Sequence, residues 1–360
     1  MKIVFILPGL HMSGGIISTI ELSNRLKEMG HDVQIIYPSL LVGPRLKWFN
    51  FRSLYTNYRA SEQARDTLFD RITPTAPIVK VPTLNERFIP DADAVIATWW
   101  ETAYYVRDYS KNKGQKFYFV RGYEIWYGTE NLIDQTYSFP LKIIVTSTYL
   151  KELLKDRLGV IAGEIIPNGI NLNLFYKTRP SMETGHLKRV GMVYRGMPWK
   201  GMEDGFAAFK LAAKSYPNVK LVLFGSPATG KLPNNVEFHE YPNVNKLRDL
   251  YNSLDIFLLP SHPGEAFSNP PLEAMACGTA CVLTNVGGIP DYAIPDKTAL
   301  VSEPYDVASL ARNLILLLQN DNKRTAIAEA GYNHIRNFSW DAAASKLAQF
   351  VCHNLDNPPV

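Results

Sequence analysis

The carboxyl-terminal half of the sequence contains the stretch Glu265-Ala266-Phe267-Ser268-Asn269-Pro270-Pro271-Leu272-Glu273-Ala274-Met275-Ala276-Cys277-Gly278. Its prolines allow a helix to begin near Pro270 but not before it. Glu265 therefore lies in the preceding loop, Glu273 falls in the first helical turn or just beyond it, and both carboxylates can face one cleft. From spacing alone, Glu273 is equally well explained as complementing the helix dipole, worth about 0.3 to 1 kcal/mol, or as accepting hydrogen bonds from vicinal sugar hydroxyls.

Strand-like and helical segments alternate on both sides of this stretch. Strand-like runs occupy residues 2–7, 32–37, 94–98, 116–120 and 142–146 in the first half, and 189–194, 220–224, 255–259 and 279–283 in the second. This alternation predicts parallel sheets covered by helices on both faces. Because such sheets bind ligands beyond the carboxyl ends of their strands, we expect an α/β protein with two Rossmann-like, doubly wound domains that face a central cleft.

A polar segment near the middle of the chain separates the two alternating regions. It contains Pro180 and Gly185 and has neither helical nor strand periodicity, which is typical of a linker. The length of 360 residues also fits two domains of ordinary size. We therefore predict a first domain at 1–178, a linker at 179–188 and a second domain at 189–338.

Composition excludes several classes of protein. A hydrophobic content of 46% with 20% charged residues indicates a fully globular chain, and the apolar runs are too short for the roughly 20 residues that span a membrane. The net charge of +4 is too small and too dispersed for a nucleic-acid-binding protein. Three cysteines favour free thiols in a reducing compartment, so we expect a cytoplasmic protein. The seven histidines show no metal-site spacing, and we expect no metal and no cofactor.

A glycine pair opens the first helix of the chain. Gly14 and Gly15 follow Ser13, after the first strand-like run. Glycine lets the backbone approach a phosphate or a sugar closely at the positive end of a helix, although a tight turn explains the pair equally well. The surrounding residues do not form the G-x-G-x-x-G fingerprint, which argues against a nicotinamide-dependent oxidoreductase.

Two cations follow the first strand of the second domain, in Tyr194-Arg195-Gly196-Met197-Pro198-Trp199-Lys200-Gly201. A guanidinium and an ammonium that converge on a diphosphate stabilise the charge that develops as this leaving group departs. Two surface cations would be the alternative. Their place at the carboxyl end of a strand favours Arg195 and Lys200 as a diphosphate site.

Several segments together resemble glycosyltransferase family 4, a retaining family with the GT-B fold. They are Ser13-Gly14-Gly15, Gly30-His31-Asp32-Val33, Ile166-Pro167-Asn168-Gly169-Ile170, Arg195 with Lys200-Gly201, Pro260-Ser261 through Glu265, Glu273 through Gly278, Gly287-Gly288-Ile289-Pro290-Asp291 and Phe338-Ser339-Trp340. The resemblance implies that Glu265 contacts donor-sugar hydroxyls, Glu273 the ribose, Arg195 and Lys200 the diphosphate, and Gly14-Gly15 the donor phosphate and reacting sugar. It also implies that the final helical segment, residues 339–360, crosses back onto the first domain. We add Phe267, Ser268 and Asn269 as donor-binding candidates.

This chain departs from the family pattern at two places. Ala266 and Ser268 stand where the family commonly has glycines, so the backbone beside the donor sugar can differ. Many members have a histidine after the strand that here ends at Val120, whereas this chain continues Arg121-Gly122-Tyr123-Glu124. We assign Arg121 and Glu124 to the acceptor or donor-sugar side.

Two further segments have weaker claims to function. Residues 44–59 carry four cations interleaved with aromatic side chains. This pattern suits contact with an anionic membrane surface and a lipid-linked acceptor. It suits a partly buried helix with a solvated basic face slightly better. Asp91-Ala92-Asp93 matches a D-x-D metal motif. It precedes a strand in a pattern unlike the fold that uses this motif, so we interpret it as structural.

The sequence therefore predicts a retaining glycosyltransferase of the hexosyltransferase type that needs no metal. It would move a hexosyl or deoxyhexosyl group from a nucleotide-diphosphate sugar to a hydroxyl of a glycan or lipid-linked acceptor, in cell-envelope polysaccharide synthesis, either in the cytoplasm or as a peripheral protein at the inner face of the membrane. The alternatives are a sugar phosphorylase of the same fold and a non-catalytic nucleotide-sugar-binding protein.

Overall fold

The computed structural model describes residues 1–41, 68–124, 130–178, 187–228, 232 and 236–356. The chain forms two compact units, Met1–Gly169 with Trp340–Val360, and Ile170–Ser339. The basic segment 44–59 and most of the predicted linker, residues 179–186, lie outside the described residues. The domain limits predicted at residues 178 and 338 stay predictions.

The first unit is built on a seven-stranded parallel sheet. Its strands are β1 (Lys2–Ile6), β2 (Asp32–Pro38), β3 (Ile78–Val81), β4 (Ala94–Ala97), β5 (Gln115–Val120), β6 (Lys142–Val145) and β7 (Glu164–Ile165). They lie in the order β3-β2-β1-β4-β5-β6-β7. Four of the five residues of β1 are buried, as expected for a strand covered on both faces.

The helices described in this unit are α1 (Gly14–Glu28), α2 (Trp100–Asp108), α3 (Glu130–Thr136), α4 (Thr148–Leu158) and α10 (Trp340–Asp356). Helix α1 begins where Ser13, its N-cap, accepts a hydrogen bond from the Ile16 amide. The last helix, α10, packs against α1. Its buried Leu347 and Val351 belong to the same hydrophobic core as Ile20 and Leu22 of α1, which fixes α10 to the first unit.

The second unit repeats this plan with six strands. They are β8 (Lys188–Tyr194), β9 (Val219–Gly225), β10 (Val236–Glu240), β11 (Ile256–Leu259), β12 (Ala280–Thr284) and β13 (Leu300–Ser302). The helices are α5 (Met202–Ser215), α6 (Val244–Ser253), α7 (Asn269–Ala276), α8 (Val307–Gln319) and α9 (Asp321–Ile335). Every residue of β11 and β12 is buried.

Strand order decides which loops become neighbours. In the second sheet the order is β10-β9-β8-β11-β12-β13, with all pairs parallel. From β8 to β10 the chain adds strands on one side of the sheet, and from β11 to β13 it adds them on the other side. The loops that leave β8 and β11 therefore lie next to each other at the ligand-binding edge of such a sheet. The predicted fold class, two doubly wound α/β domains, is confirmed. The cleft between them stays a prediction.

Candidate active site

The loops after β8 and β11 join Lys200 and Glu265 in an ion pair. The Lys200 ammonium donates to Oε2 of Glu265 at 2.5 Å, and the side chains are 20% and 8% exposed. The Ser261 hydroxyl donates to the same oxygen at 3.3 Å. Because the pair is largely shielded from water at the carboxyl edge of the sheet, both charges are held in place. The structure thus brings together two groups that the sequence assigned to different parts of a donor, Lys200 to the diphosphate and Glu265 to the sugar.

Glycine at two positions permits this close approach. Lys200 ends a short 3-10 helix, Pro198–Lys200, and Gly201 follows in the left-handed region with φ +60°. A Cβ atom on Gly201 would lie 1.9 Å from the Pro260 carbonyl oxygen, and one on Gly287 would lie 1.6 Å from the Glu265 carbonyl oxygen. Since neither position has room for a side chain, the two glycines set the path of the loop that carries Glu265.

The half-buried Arg195 lies at the same edge, directly after the last residue of β8. The loop also holds His262, which the sequence did not indicate. Its Nε2 lies 2.8 Å from Oδ2 of Asp204 in the first turn of α5, and its ring lies 4.1 Å from that of Tyr305. One signal could have found His262: it follows a buried strand at its carboxyl end, as Arg195 does.

Glu273 lies on α7 with a fixed carboxylate. The helix begins at Asn269, one residue before the earliest start expected from Pro270, because the amides of a first helical turn need no partner within the helix and proline is tolerated there. Glu273 lies just beyond the first turn and Glu265 lies in the loop before the helix, both as predicted. The hydroxyl of the fully buried Tyr251 donates to Oε2 of Glu273 at 2.7 Å. This orientation by a buried donor favours a binding role over complementing the helix dipole alone.

The residues between the two carboxylates form the start of α7. Phe267 is buried in the hydrophobic core of the second unit, with its ring 5.3 Å from that of Tyr292. The Tyr292 hydroxyl donates to the carbonyl of Ser268 at 3.2 Å, and Ser268 is the N-cap residue before Asn269. Packing and hydrogen bonding therefore hold this backbone rigidly beside Glu265.

The first unit brings Arg121 beside the glycine pair. Gly14 and Gly15 are the first two residues of α1, and a Cβ atom on Gly15 would lie 3.5 Å from Cδ of Arg121. Glu124 lies three residues further along and is 8% exposed. Burial raises the pKa of Glu124 well above its usual range, and the charge of Glu101 adds to this effect. Among the described residues no ion pair joins Arg121 to Glu124.

We expect Glu124→Gln to make the protein more stable at pH 8 than the wild type. Because the folded-state pKa of Glu124 lies above its unfolded value, its contribution to stability is fully present below about pH 4.3 and is lost as the pH rises through the folded pKa. The advantage of the variant should therefore shrink on acidification. Thermal unfolding of both proteins across this range checks the prediction, with the exposed Glu152→Gln on α4 as the control. An advantage independent of pH would contradict it.

The D-x-D motif and the two cysteines of the second unit have structural surroundings. The Asp93 carboxylate accepts a hydrogen bond from the Lys2 amide at 2.7 Å, and Asp91 forms an ion pair with Lys113 at 2.8 Å. Cys277 and Cys281 are buried, and burial raises the pKa of both thiols. These surroundings favour structural roles for the two aspartates and the two cysteines.

A cavity of about 280 Å³ lies at the opposite edge of the second sheet. Its lining includes Asp255 and Thr279, which directly precede β11 and β12, and Arg324 of α9. The amino-terminal edge of a parallel sheet is not where ligands bind in this fold class. The Lys200–Glu265 pair at the carboxyl edge is therefore the better candidate for the active site.

Comparison with known proteins gives consistent results. Residues 183–334 match the family described as glycosyl transferases group 1. A lipopolysaccharide 1,2-N-acetylglucosaminetransferase of Salmonella typhimurium is 26% identical over 234 residues, which cover 58% of this chain and 61% of that protein. A D-inositol 3-phosphate glycosyltransferase of Corynebacterium efficiens is 30% identical over 179 residues, 45% of this chain and 42% of that protein. The chain thus matches less than two thirds of the length of each of these relatives.

Solved structures extend the similarity in fold to the whole chain. Sucrose-phosphate synthase from Thermosynechococcus elongatus aligns with a TM-score of 0.73 at 18% identity, covering 99% of each chain. HepE of Anabaena in complex with UDP aligns with a TM-score of 0.73 at 17% identity, covering 98% of this chain and 100% of that one. The resemblance to glycosyltransferases of the GT-B fold is confirmed, and residues 183–334 are similar to the glycosyl transferases group 1 family. Within the described residues, no helix has both the length and the hydropathy needed to cross a membrane.

Proposed function

We propose that the protein transfers a hexosyl or deoxyhexosyl group, with retention and without a metal, from a nucleotide-diphosphate sugar to a hydroxyl of a glycan or lipid-linked acceptor. The Lys200–Glu265 pair carries this proposal, because it combines a cation for the leaving diphosphate with a carboxylate for sugar hydroxyls at the ligand-binding edge of the sheet. The relatives support the substrate class: one is named as an N-acetylglucosaminetransferase of lipopolysaccharide, and a further structure of HepE is a complex with UDP-glucose.

Breaking the bond between the sugar and the diphosphate leaves negative charge on the diphosphate. Arg195 and Lys200 would stabilise this charge by charge-assisted hydrogen bonds, each worth about 1.5 to 3 kcal/mol. Binding the diphosphate would draw the Lys200 ammonium away from Glu265. The freed carboxylate could then accept hydrogen bonds from donor-sugar hydroxyls, so that the pair opens as the donor binds.

The two carboxylates would divide recognition of the donor. Glu273, oriented by Tyr251, can accept both hydroxyls of a ribose. Glu265 would hold the sugar. Retention follows when the departing phosphate helps to deprotonate the acceptor hydroxyl on the face that it leaves, so that attack occurs on the same side of the ring.

A thermal-shift screen across nucleotide-sugars tests the proposal. A donor present at 100 times its dissociation constant should stabilise the protein by about 2.7 kcal/mol. In Lys200→Met we expect the stabilisation by the best donor to fall sharply because the diphosphate loses a cation. Lys210→Met, which alters an exposed lysine on α5, should respond as the wild type does.

Three outcomes would contradict the proposal. Unchanged donor stabilisation in Lys200→Met would remove the diphosphate site. Donor binding without turnover on any glycan or lipid-linked acceptor would indicate a non-catalytic nucleotide-sugar-binding protein, and turnover that requires inorganic phosphate would indicate a phosphorylase.

A further inference from the structure

The guanidinium of Arg121 is held in the first unit without a carboxylate partner. Arg121 directly follows β5, and its charged group lies over the Phe119 ring, 4.3 Å from the ring centre. Its Nη1 donates to Oδ1 of Asn168 at 3.3 Å, a neutral acceptor at a long distance. Burial lowers the pKa of Arg121, and no described carboxylate offsets this effect.

The opposite edge of the guanidinium is unused. Both Nε and Nη2 of Arg121 are buried, and neither has a hydrogen-bond partner in the part of the chain that the structure describes. These two nitrogens direct parallel N–H bonds to one side, in the fork geometry that matches a carboxylate or a phosphate. A buried cation with two unmade hydrogen bonds destabilises a fold unless a ligand satisfies it.

A second source of positive potential lies beside the stem of Arg121. The stem of Arg121 lies 3.5 Å from the position that a Cβ atom on Gly15 would occupy. Helix α1, which is 15 residues long, begins at Gly14. Because its aligned peptide dipoles place partial positive charge at this end, the guanidinium and the helix attract the same kind of ligand.

We propose that the Nε–Nη2 edge of Arg121 and the amino terminus of α1 form a binding site for an oxyanion of the substrate, a carboxylate or a phosphate. The site rests on the proposed function only for the identity of the molecule that carries the oxyanion. Two sources share this chemistry, the diphosphate of the donor and an acidic group on the acceptor. Burial lowers the pKa of Arg121 to about 9, which is still above neutrality. An arginine here, where the resembling family often has a histidine, would therefore keep its preference for an anion near neutral pH.

Titration with inorganic phosphate tests the site directly. We expect the full-length wild type to bind phosphate saturably in a low-chloride buffer. Arg121→Gln should weaken this binding at least about tenfold, because charge-assisted hydrogen bonds are lost. Arg121→Lys, which keeps the charge but lacks the parallel donors, should lie between the two. The control is Arg107→Gln, which alters a partly exposed arginine of the same unit that is paired with Asp108.

The sources are distinguished by repeating the titration with UDP and with glucuronate. If Arg121→Gln weakens UDP and phosphate by similar factors, the oxyanion is the donor diphosphate. If the substitution weakens glucuronate and leaves UDP unchanged, the oxyanion belongs to an acidic sugar. Both outcomes support the site. Equal phosphate affinity in the wild type and Arg121→Gln, or no saturable phosphate binding by the wild type, would overturn it.

Thermal unfolding without anions separates a binding role from a structural one. If the unmade hydrogen bonds await a ligand, Arg121→Gln should be at least as stable as the wild type, since a buried unpaired charge is removed. A packing role would be indicated by two results together. Arg121→Gln would be markedly destabilised, and Arg121→Gln and Arg121→Lys would bind phosphate with the same affinity. If Lys200→Met is stabilised by the donor as strongly as the wild type, the proposed function is rejected. The effect of Arg121→Gln on phosphate binding is measured independently of that result.

Discussion

Glu265→Ala should lower the rate of sugar transfer at least about a hundredfold, the range in which single preorganised polar groups contribute to catalysis. The carboxylate is 8% exposed and is held by Lys200 and Ser261, so water is poorly placed to replace it. Its removal would leave the donor-sugar hydroxyls without their acceptor. The Lys200 ammonium would also lose the partner that positions it before the donor binds.

Initial rates with the best donor from the thermal-shift screen measure this effect. Glu265→Gln keeps the shape of the side chain and one carbonyl acceptor, so we expect an intermediate loss. Glu240→Ala, at the exposed end of β10, should leave the rate unchanged. Transfer by Glu265→Ala at the wild-type rate would remove Glu265 from the mechanism.

Gly287→Ala should have the largest effect on stability. The backbone of Gly287 has φ +56°, and a Cβ atom would lie 1.6 Å from the Glu265 carbonyl oxygen. Backbone strain and overpacking each cost about 1 to 3 kcal/mol, so we expect a loss of about 3 kcal/mol or more. Because the clash is with the backbone of Glu265, the substitution should also displace this carboxylate and lower the transfer rate.

Substitution of Gly159 measures the cost of backbone strain without a steric clash. Gly159, which ends α4, has φ +67° and open space around its Cβ position. Gly159→Ala therefore introduces only the left-handed strain, which costs about 1 to 2 kcal/mol. Thermal unfolding midpoints of the two variants compare these effects. Equal midpoints would mean that the loop after β11 moves aside readily and that Gly287 does not fix Glu265.

The fold class was predictable because its signals are local. Runs such as Ile256–Leu259 are fully apolar, and this pattern indicates a strand buried on both faces wherever the strand lies in the sheet. Proline constrains the chain close to its own position, and α7 begins at Asn269, within one residue of the start expected at Pro270. The places of Glu265 and Glu273 relative to this helix follow from the same residues.

The contacts of the candidate site were not predictable in this way. Tyr251 carried no functional signal in the sequence, because its hydroxyl meets Glu273 only when α6 and α7 pack together. Arg121 was assigned only by comparison with a family pattern. Its unused edge became apparent from the packing around Phe119 and Asn168.

The sequence by itself determined the alternation of strands and helices, the two doubly wound domains and the loop position of Glu265, because periodicity and proline geometry act over a few residues. Only the tertiary structure decided that Lys200 and Glu265, 65 residues apart, form one ion pair, and that Arg121 lies beside Gly15. The physical reason is strand order. It selects which loops meet at the edge of a sheet, and it is set by packing across the whole domain.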